Sequence, residues 1–142
     1  MHVCRCCLCR VRFSAVFQVD RFYVEKTGYS GCTNKDDRVF VVRTNLEIIA
    51  AVRSEAIADY LVLRGLYLAK MYQGQNIGTR LLEYIEPVLK RQLSYCLPYD
   101  YLIGFYGKIG FKKVDELELP VILLERLQKY LNQNKPVVAM KL

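Results

Sequence analysis

The stretch from Tyr60 to Leu89 sets the tightest limit on what this chain can fold into. It opens with YLVLRGLYLA, Tyr60–Ala69, in which Arg64 is the only charge. A long apolar run of this kind predicts a β-strand buried on both faces. The next residues, Gln73-Gly74-Gln75-Asn76-Ile77-Gly78, are small and mostly polar. Then Ile77, Leu81, Leu82, Ile85 and Leu89 recur at helical spacing, with Pro87 expected to bend or shorten the helix. A strand that passes through a glycine-containing turn into a helix is a backbone anion site. Unsatisfied N–H groups converge at the helix N-terminus, and the macrodipole adds about half a positive charge there. The loop has neither the Lys-Ser/Thr ending of a P-loop nor the spacing of a dinucleotide fingerprint. Taken alone it is equally a tight turn with no ligand.

The remaining pattern predicts an α/β (α+β) chain with a mixed sheet. A strand is expected up to Phe13, then a helix over Ser14–Thr27 closed by Gly28, then a loop of turn formers. Arg38–Arg43 and Leu46–Arg53 are expected to pair as a hairpin about Thr44-Asn45. Ser94–Leu97 is a short strand stopped by Pro98, and Tyr101–Ile109 a helix closed by Gly110. Phe111–Val114 and Val137–Met140 are further strands. Between them a helix starts at Pro120, with Leu123, Leu124, Leu127 and Leu131 as its apolar face.

Composition excludes several classes. The chain has 142 residues, about one domain's worth, and 53% of them are hydrophobic, which excludes intrinsic disorder. Charges interrupt every apolar run well before membrane-spanning length, so a soluble single domain is expected. The +7 balance favours an anionic partner. Its Lys and Arg residues are scattered, however, rather than gathered on one helix as in a nucleic-acid footprint, so neither nucleic acid nor membrane is expected as a partner. Cys4, Cys6, Cys7 and Cys9 contain two interlocked C-x-x-C spacings. One compact segment is poorly placed to wrap four thiolates around a tetrahedral ion, so no metal is expected. With no apolar core for a signal peptide, the cytoplasm, where disulfides are rare, is the expected compartment.

The segment LYLAKMYQGQNIGTRLLEYI resembles the acetyl-CoA-binding motif of the GNAT superfamily of N-acetyltransferases, Gln/Arg-x-x-Gly-x-Gly/Ala. Gln73 matches its first position and Gly78 its last. Asn76 stands where glycine is usual, and asparagine is among the residues best able to replace glycine at positive φ. Farther on, FYGKIGF (Phe105–Phe111) resembles the superfamily's second signature, Phe-Tyr-x-x-x-Gly-Phe, and PVVAMKL resembles its final strand.

The resemblance implies the acyl-CoA N-acyltransferase fold, a mixed central sheet with splayed parallel strands flanked by helices, over a single domain spanning 1–142. The splayed pair would be Tyr60–Ala69 and Ser94–Leu97. It implies an N-acetyltransferase that moves acetyl from acetyl-CoA to a primary amine by direct attack, without metal. Backbone groups of Gly74, Asn76, Gly78 and Thr79, with Gln73, Gln75 and Ile77 beside them, would bind the pyrophosphate. Leu66 and Leu68 would run along the pantetheine arm, with the Leu68 N–H polarising the thioester carbonyl. Tyr106 would protonate the departing thiolate.

No carboxylate lies within Tyr60–Ala69, so Glu55 and Asp59, just before it, are the candidate bases, beside water relayed from backbone carbonyls. Arg64 either pairs with a structural carboxylate or binds an anionic substrate in the acceptor cleft. Tyr99 and Asp100 stand where an asparagine is frequent in the superfamily. Homodimers are common among such proteins. The departures at Asn76 and at the strand carboxylate keep open a second reading, a GNAT-like module that binds CoA without turnover.

Overall fold

The computed structural model describes residues 7–11, 16–23, 37–45 and 47–142. Cys4, Cys6 and Cys32, and the helix end expected at Gly28, lie outside these residues. The described elements are β1 (Cys7–Val11), α1 (Val16–Phe22), β2 (Arg38–Arg43), β3 (Ile48–Ile57), β4 (Tyr60–Leu68), α2 (Ile77–Leu89), β5 (Leu93–Cys96), α3 (Ile103–Gly107), β6 (Lys112–Lys113), α4 (Val121–Asn132) and β7 (Met140–Lys141).

The strands form one mixed sheet in the order β1-β2-β3-β4-β5-β7-β6. Among the described strands, only the β4–β5 pair is parallel. One face carries α2, whose Ile77, Leu81, Leu82, Ile85 and Leu89 pack on Phe40, Val42, Leu61 and Leu63. The opposite face carries α1 over Val39, Val41 and Ala51, and α4 over Tyr60, Val62 and Tyr95.

Several boundaries differ from the sequence expectation, each for a physical reason. β3 runs past Arg53 to Ile57, because its charged residues are paired in three dimensions and so can be buried. The expected Tyr101–Ile109 helix is a 3₁₀ turn (Asp100–Leu102) followed by the five residues of α3. Gly104 and Gly107 lower its helix propensity, and Gly110, at φ 106°, closes the turn after it. Pro120 caps α4 from outside rather than opening it, and Leu131 at the helix end is exposed. Pro87 sits in the last turn of α2, two residues from its end.

The final strand is shorter than expected because Val137 and Val138 bond to Lys135 and Pro98 carbonyls before β7 enters between β5 and β6. β4 is not buried on both faces throughout. Its first half is, but from Arg64 onward it is half-exposed. The β4–β5 ladder ends at Leu63↔Cys96, so the two parallel strands separate beyond that pair.

Candidate active site

The gap opens where β4 carries a bulge. Between the pairs Arg53↔Arg64 and Ala51↔Tyr67, β4 uses one residue more than β3. Gly65 supplies the needed conformation at φ 64°, and an added Cβ would stand 3.2 Å from both Arg53 Nε and Tyr23 Oη. The Tyr23 hydroxyl donates to the Gly65 carbonyl at 2.6 Å. The extra residue moves Leu66 and Leu68 onto the α2 face with Leu61 and Leu63, and Tyr67 onto the α1 face. The Ala69 N–H bonds Ile49 O on β3 at 2.8 Å. Backbone alternation therefore turns the Leu66 and Leu68 N–H groups away from β3, into the gap.

Beyond β4, a 3₁₀ turn (Lys70–Tyr72) leads into the loop. Gly74 has φ 80° and Asn76 has φ 64°, ψ 14°, so Asn76 holds the left-handed conformation expected for it, directly before α2. The first helical bond here runs from Arg80 N–H to Asn76 O. The N–H groups of Ile77, Gly78 and Thr79 thus have no acceptor within the helix. Gln73 Nε2 donates to Leu68 O at 3.3 Å and Gln75 Nε2 to Met71 O at 3.4 Å, so both glutamines tie the loop to the chain before it.

Lys108, which the sequence reading did not single out, stands beside the loop. Its Nζ lies 3.0 Å from Thr79 Oγ1 and 5.6 Å from the Phe105 ring centre, which brings a cation to the start of α2. The available signal was the lysine at a variable position of FYGKIGF. Nothing local indicated which helix it would reach.

Two cavities meet at this gap. One, of about 430 Å³, lies on the α2 face and is lined by Leu66, Leu68, Gln73, Gly74, Asn76, Ile77, Gly78, Thr79 and Tyr106 among others. The other, of about 590 Å³, passes between Leu63–Tyr67 and Cys96–Tyr99 and reaches Arg64, Arg126, Tyr130 and Lys135 on the α4 side. Leu66, Tyr67, Gln73, Leu102 and Tyr106 line both. Gln75, Glu55 and Asp59 line neither.

Tyr106 is buried at this junction, its ring edge-on to Phe105 and Phe111. Burial, with smaller effects from Cys96 and Tyr67, pushes its hydroxyl far above the ordinary phenol range.

Glu55 is engaged elsewhere. Arg126 bonds both its oxygens, at 2.5 and 3.2 Å, and Arg64 bonds Oε2 at 3.2 Å. Burial by itself would raise this carboxyl, but the two guanidiniums outweigh it, Arg126 more than Arg64, and hold it below its ordinary value. Arg64 has therefore found the carboxylate that was one of its two expected partners, and Glu55 is not poised as a base. Asp59 is exposed in the β3–β4 turn.

This geometry agrees with known proteins. Residues 35–113, more than half of the chain, match the family profile described as "Acetyltransferase (GNAT) domain". The chain belongs to the GNAT acetyltransferase family. Among solved structures it is similar to the ribosomal-protein-S18-alanine N-acetyltransferase from Escherichia coli. The TM-score is 0.69 at 13% identity, covering 96% of this chain and 92% of that one. Arabidopsis thaliana Naa50, in complex with the bisubstrate analogue CoA-Ac-MVNAL, superposes with TM-score 0.63 at 16% identity, covering 96% and 97%. N-acetylglutamate synthase from Neisseria gonorrhoeae, complexed with coenzyme A and N-acetyl-glutamate, gives 0.67 at 13% identity, covering 95% of this chain and 34% of that one. At these identities the likeness is one of fold. No curated protein is similar enough in sequence to match. Among the described residues of this GNAT chain, no helix is long and apolar enough to cross a membrane.

Proposed function

We propose that the protein is an N-acetyltransferase that moves acetyl from acetyl-CoA to a primary amine by direct attack, with residues 1–142 acting as one domain. The observation that carries this reading is the shared wall of the two cavities. Leu66 and Tyr106 stand where a ligand on the α2 face would meet one arriving from the α4 face, and Leu68 lines the α2-face cavity beside them. The residues fit acetyl-CoA. The N–H groups at the start of α2 are without helical acceptors, Lys108 adds charge beside them, and an atom placed at a Gly74 Cβ would meet nothing within 4 Å.

Bound acetyl-CoA would supply an acetyl group on a thiolate leaving group. Gly74, Asn76, Gly78 and Thr79 hold the pyrophosphate through their N–H groups, with Gln73, Gln75 and Ile77 shaping that loop. Leu66 and Leu68 offer backbone groups along the pantetheine arm, as an added strand would. The Leu68 N–H donates toward charge developing on the acetyl oxygen, a fixed donor of the kind that contributes strongly to catalysis. Tyr106 stays protonated across neutral pH and would donate its proton to the departing thiolate.

Glu55 holds Arg64 and Arg126 in place, and the amine loses its proton to water relayed from backbone carbonyls. The proposed compartment is the cytoplasm, where unpaired thiols such as Cys9 and Cys96 persist. One observation favours the second reading, a CoA-binding module without turnover: no described residue lining either cavity is a carboxylate.

Calorimetry with acetyl-CoA on the wild type and on Gly78→Glu tests the cofactor site. Binding that is lost in the variant is expected, and equal binding by both refutes the site. CoA release in the presence of a panel of amines then separates turnover from mere binding. Tyr106→Phe is expected to lower kcat by about 10²-fold or more while leaving acetyl-CoA affinity nearly unchanged.

A further inference from the structure

We infer that Tyr23 is a positioning residue for the cofactor site: from the α1 face of the sheet, its hydroxyl aims the Leu66 N–H at the pantetheine arm of acetyl-CoA. This rests on the acetyl-CoA site proposed above and adds to it a residue that lines neither cavity.

The Tyr23 hydroxyl donates to the Gly65 carbonyl at 2.6 Å, near the short end for such a bond. That carbonyl and the Leu66 N–H belong to one peptide plane. A trans plane points its C=O and N–H in opposite directions. Tyr23 packs among Val39, Val41 and Ala51 on the α1 face, so holding the carbonyl there turns the Leu66 N–H away from it. Leu66 itself lines both cavities. The same bond polarises the peptide and makes its N–H a stronger donor. An outside constraint matters at this plane. It follows a glycine, the residue that restrains its own backbone least, and it lies where β4 has already lost β5.

Tyr23 has little freedom of its own. It is fully buried, with its ring edge-on to Tyr67 at 5.8 Å and tilted against Phe22 at 5.7 Å. The Arg53 guanidinium lies 5.5 Å from its ring centre and pairs with Asp37 at 3.6 Å, both side chains 2% exposed. The donor is therefore held by packing and a buried ion pair before any ligand arrives, as a preorganised site requires.

The test uses Tyr23→Phe, which keeps the ring and removes the hydroxyl, with Val19→Ala as a control for loosened packing. Val19 is fully buried on α1 in the same cluster as Tyr23. In Tyr23→Phe, calorimetry is expected to show acetyl-CoA affinity lowered about five- to tenfold, as for one hydrogen bond. The Leu66 amide proton of the ligand-free variant, followed by NMR, is expected to move upfield. Val19→Ala should melt earlier yet keep the wild-type affinity and the wild-type Leu66 resonance. Should Tyr23→Phe fail to fold, Gly65→Ala perturbs the same plane, since its Cβ would stand 3.2 Å from the hydroxyl, and the same loss of affinity is expected. An unchanged affinity in the variant that folds, an unmoved Leu66 resonance in Tyr23→Phe, or equal losses in Val19→Ala would each overturn the inference. A wild type that does not bind acetyl-CoA would overturn the cofactor site instead.

Discussion

The two halves of β4 are made of similar residues and live in different surroundings. Tyr60–Leu63 has β3 on one side, β5 on the other, and helices over both faces, and its side chains are 3–6% exposed. Arg64–Leu68 keeps β3 but loses β5, and every residue in it is half-buried. The first half contributes stability through packing. The second leaves backbone donors and side chains open to ligands. One strand thus anchors the sheet and forms a wall of the candidate site, and the change occurs at a glycine bulge rather than at a change in hydropathy.

That contrast can be broken from either end. Leu63→Ala is expected to cost about 2–5 kcal/mol, the usual range for a buried leucine, whereas Leu66→Ala should cost less than half as much. Denaturant melts of the two variants measure the difference, and equal losses would erase the division between the halves. The bulge itself comes next. Gly65→Ala combines a left-handed backbone with 3.2 Å contacts to Arg53 and Tyr23, and is expected to cost about 1–3 kcal/mol. If the bulge aims the Leu66 and Leu68 amides, the variant should also weaken acetyl-CoA binding by calorimetry.

The arginine pair on Glu55 links the halves, since Glu55 lies opposite Val62 and binds Arg64. Its folded-state pKa is depressed, so it stabilises the protein above its unfolded value and loses that contribution as pH falls through the folded one. Stability should therefore drop on acidification below about pH 4.5. Glu55→Gln should flatten that acid limb at a cost of about 1–2 kcal/mol at neutral pH, discounted because both guanidiniums keep contact with water. Thermal melts from pH 3 to 7 would check the sign. The smallest effect is expected at Lys108, where Ala should weaken acetyl-CoA binding a few-fold at low salt and less at high salt, since the exposed ammonium is screened. A salt-independent loss would mean that Lys108 acts by packing on Phe105.

Much of this site was legible because its chemistry is local. The left-handed turn at Asn76, the helix start at Ile77 and the turn closed by Gly110 each follow from the conformational range of one residue or from helical spacing. The boundaries of β3 and α3 were less legible. β3 carries charges that read as a strand end until their partners are known, and α3 carries glycines that weaken a helix without marking where it stops.

By itself the sequence determined the order of strand, loop and helix, the mixed sheet, and the backbone donors at the start of α2, because periodicity and turn chemistry act over a few residues. Only the tertiary structure decided that Glu55 serves two arginines, one of them 71 positions away, that Lys108 reaches Thr79 across 29 positions, and that Arg64, Arg126 and Lys135 line one cavity. Those meetings depend on strand register, on the bulge at Gly65 and on how α4 crosses the sheet. A side chain's partner across such distances is set by the packing of whole elements, which no local pattern encodes.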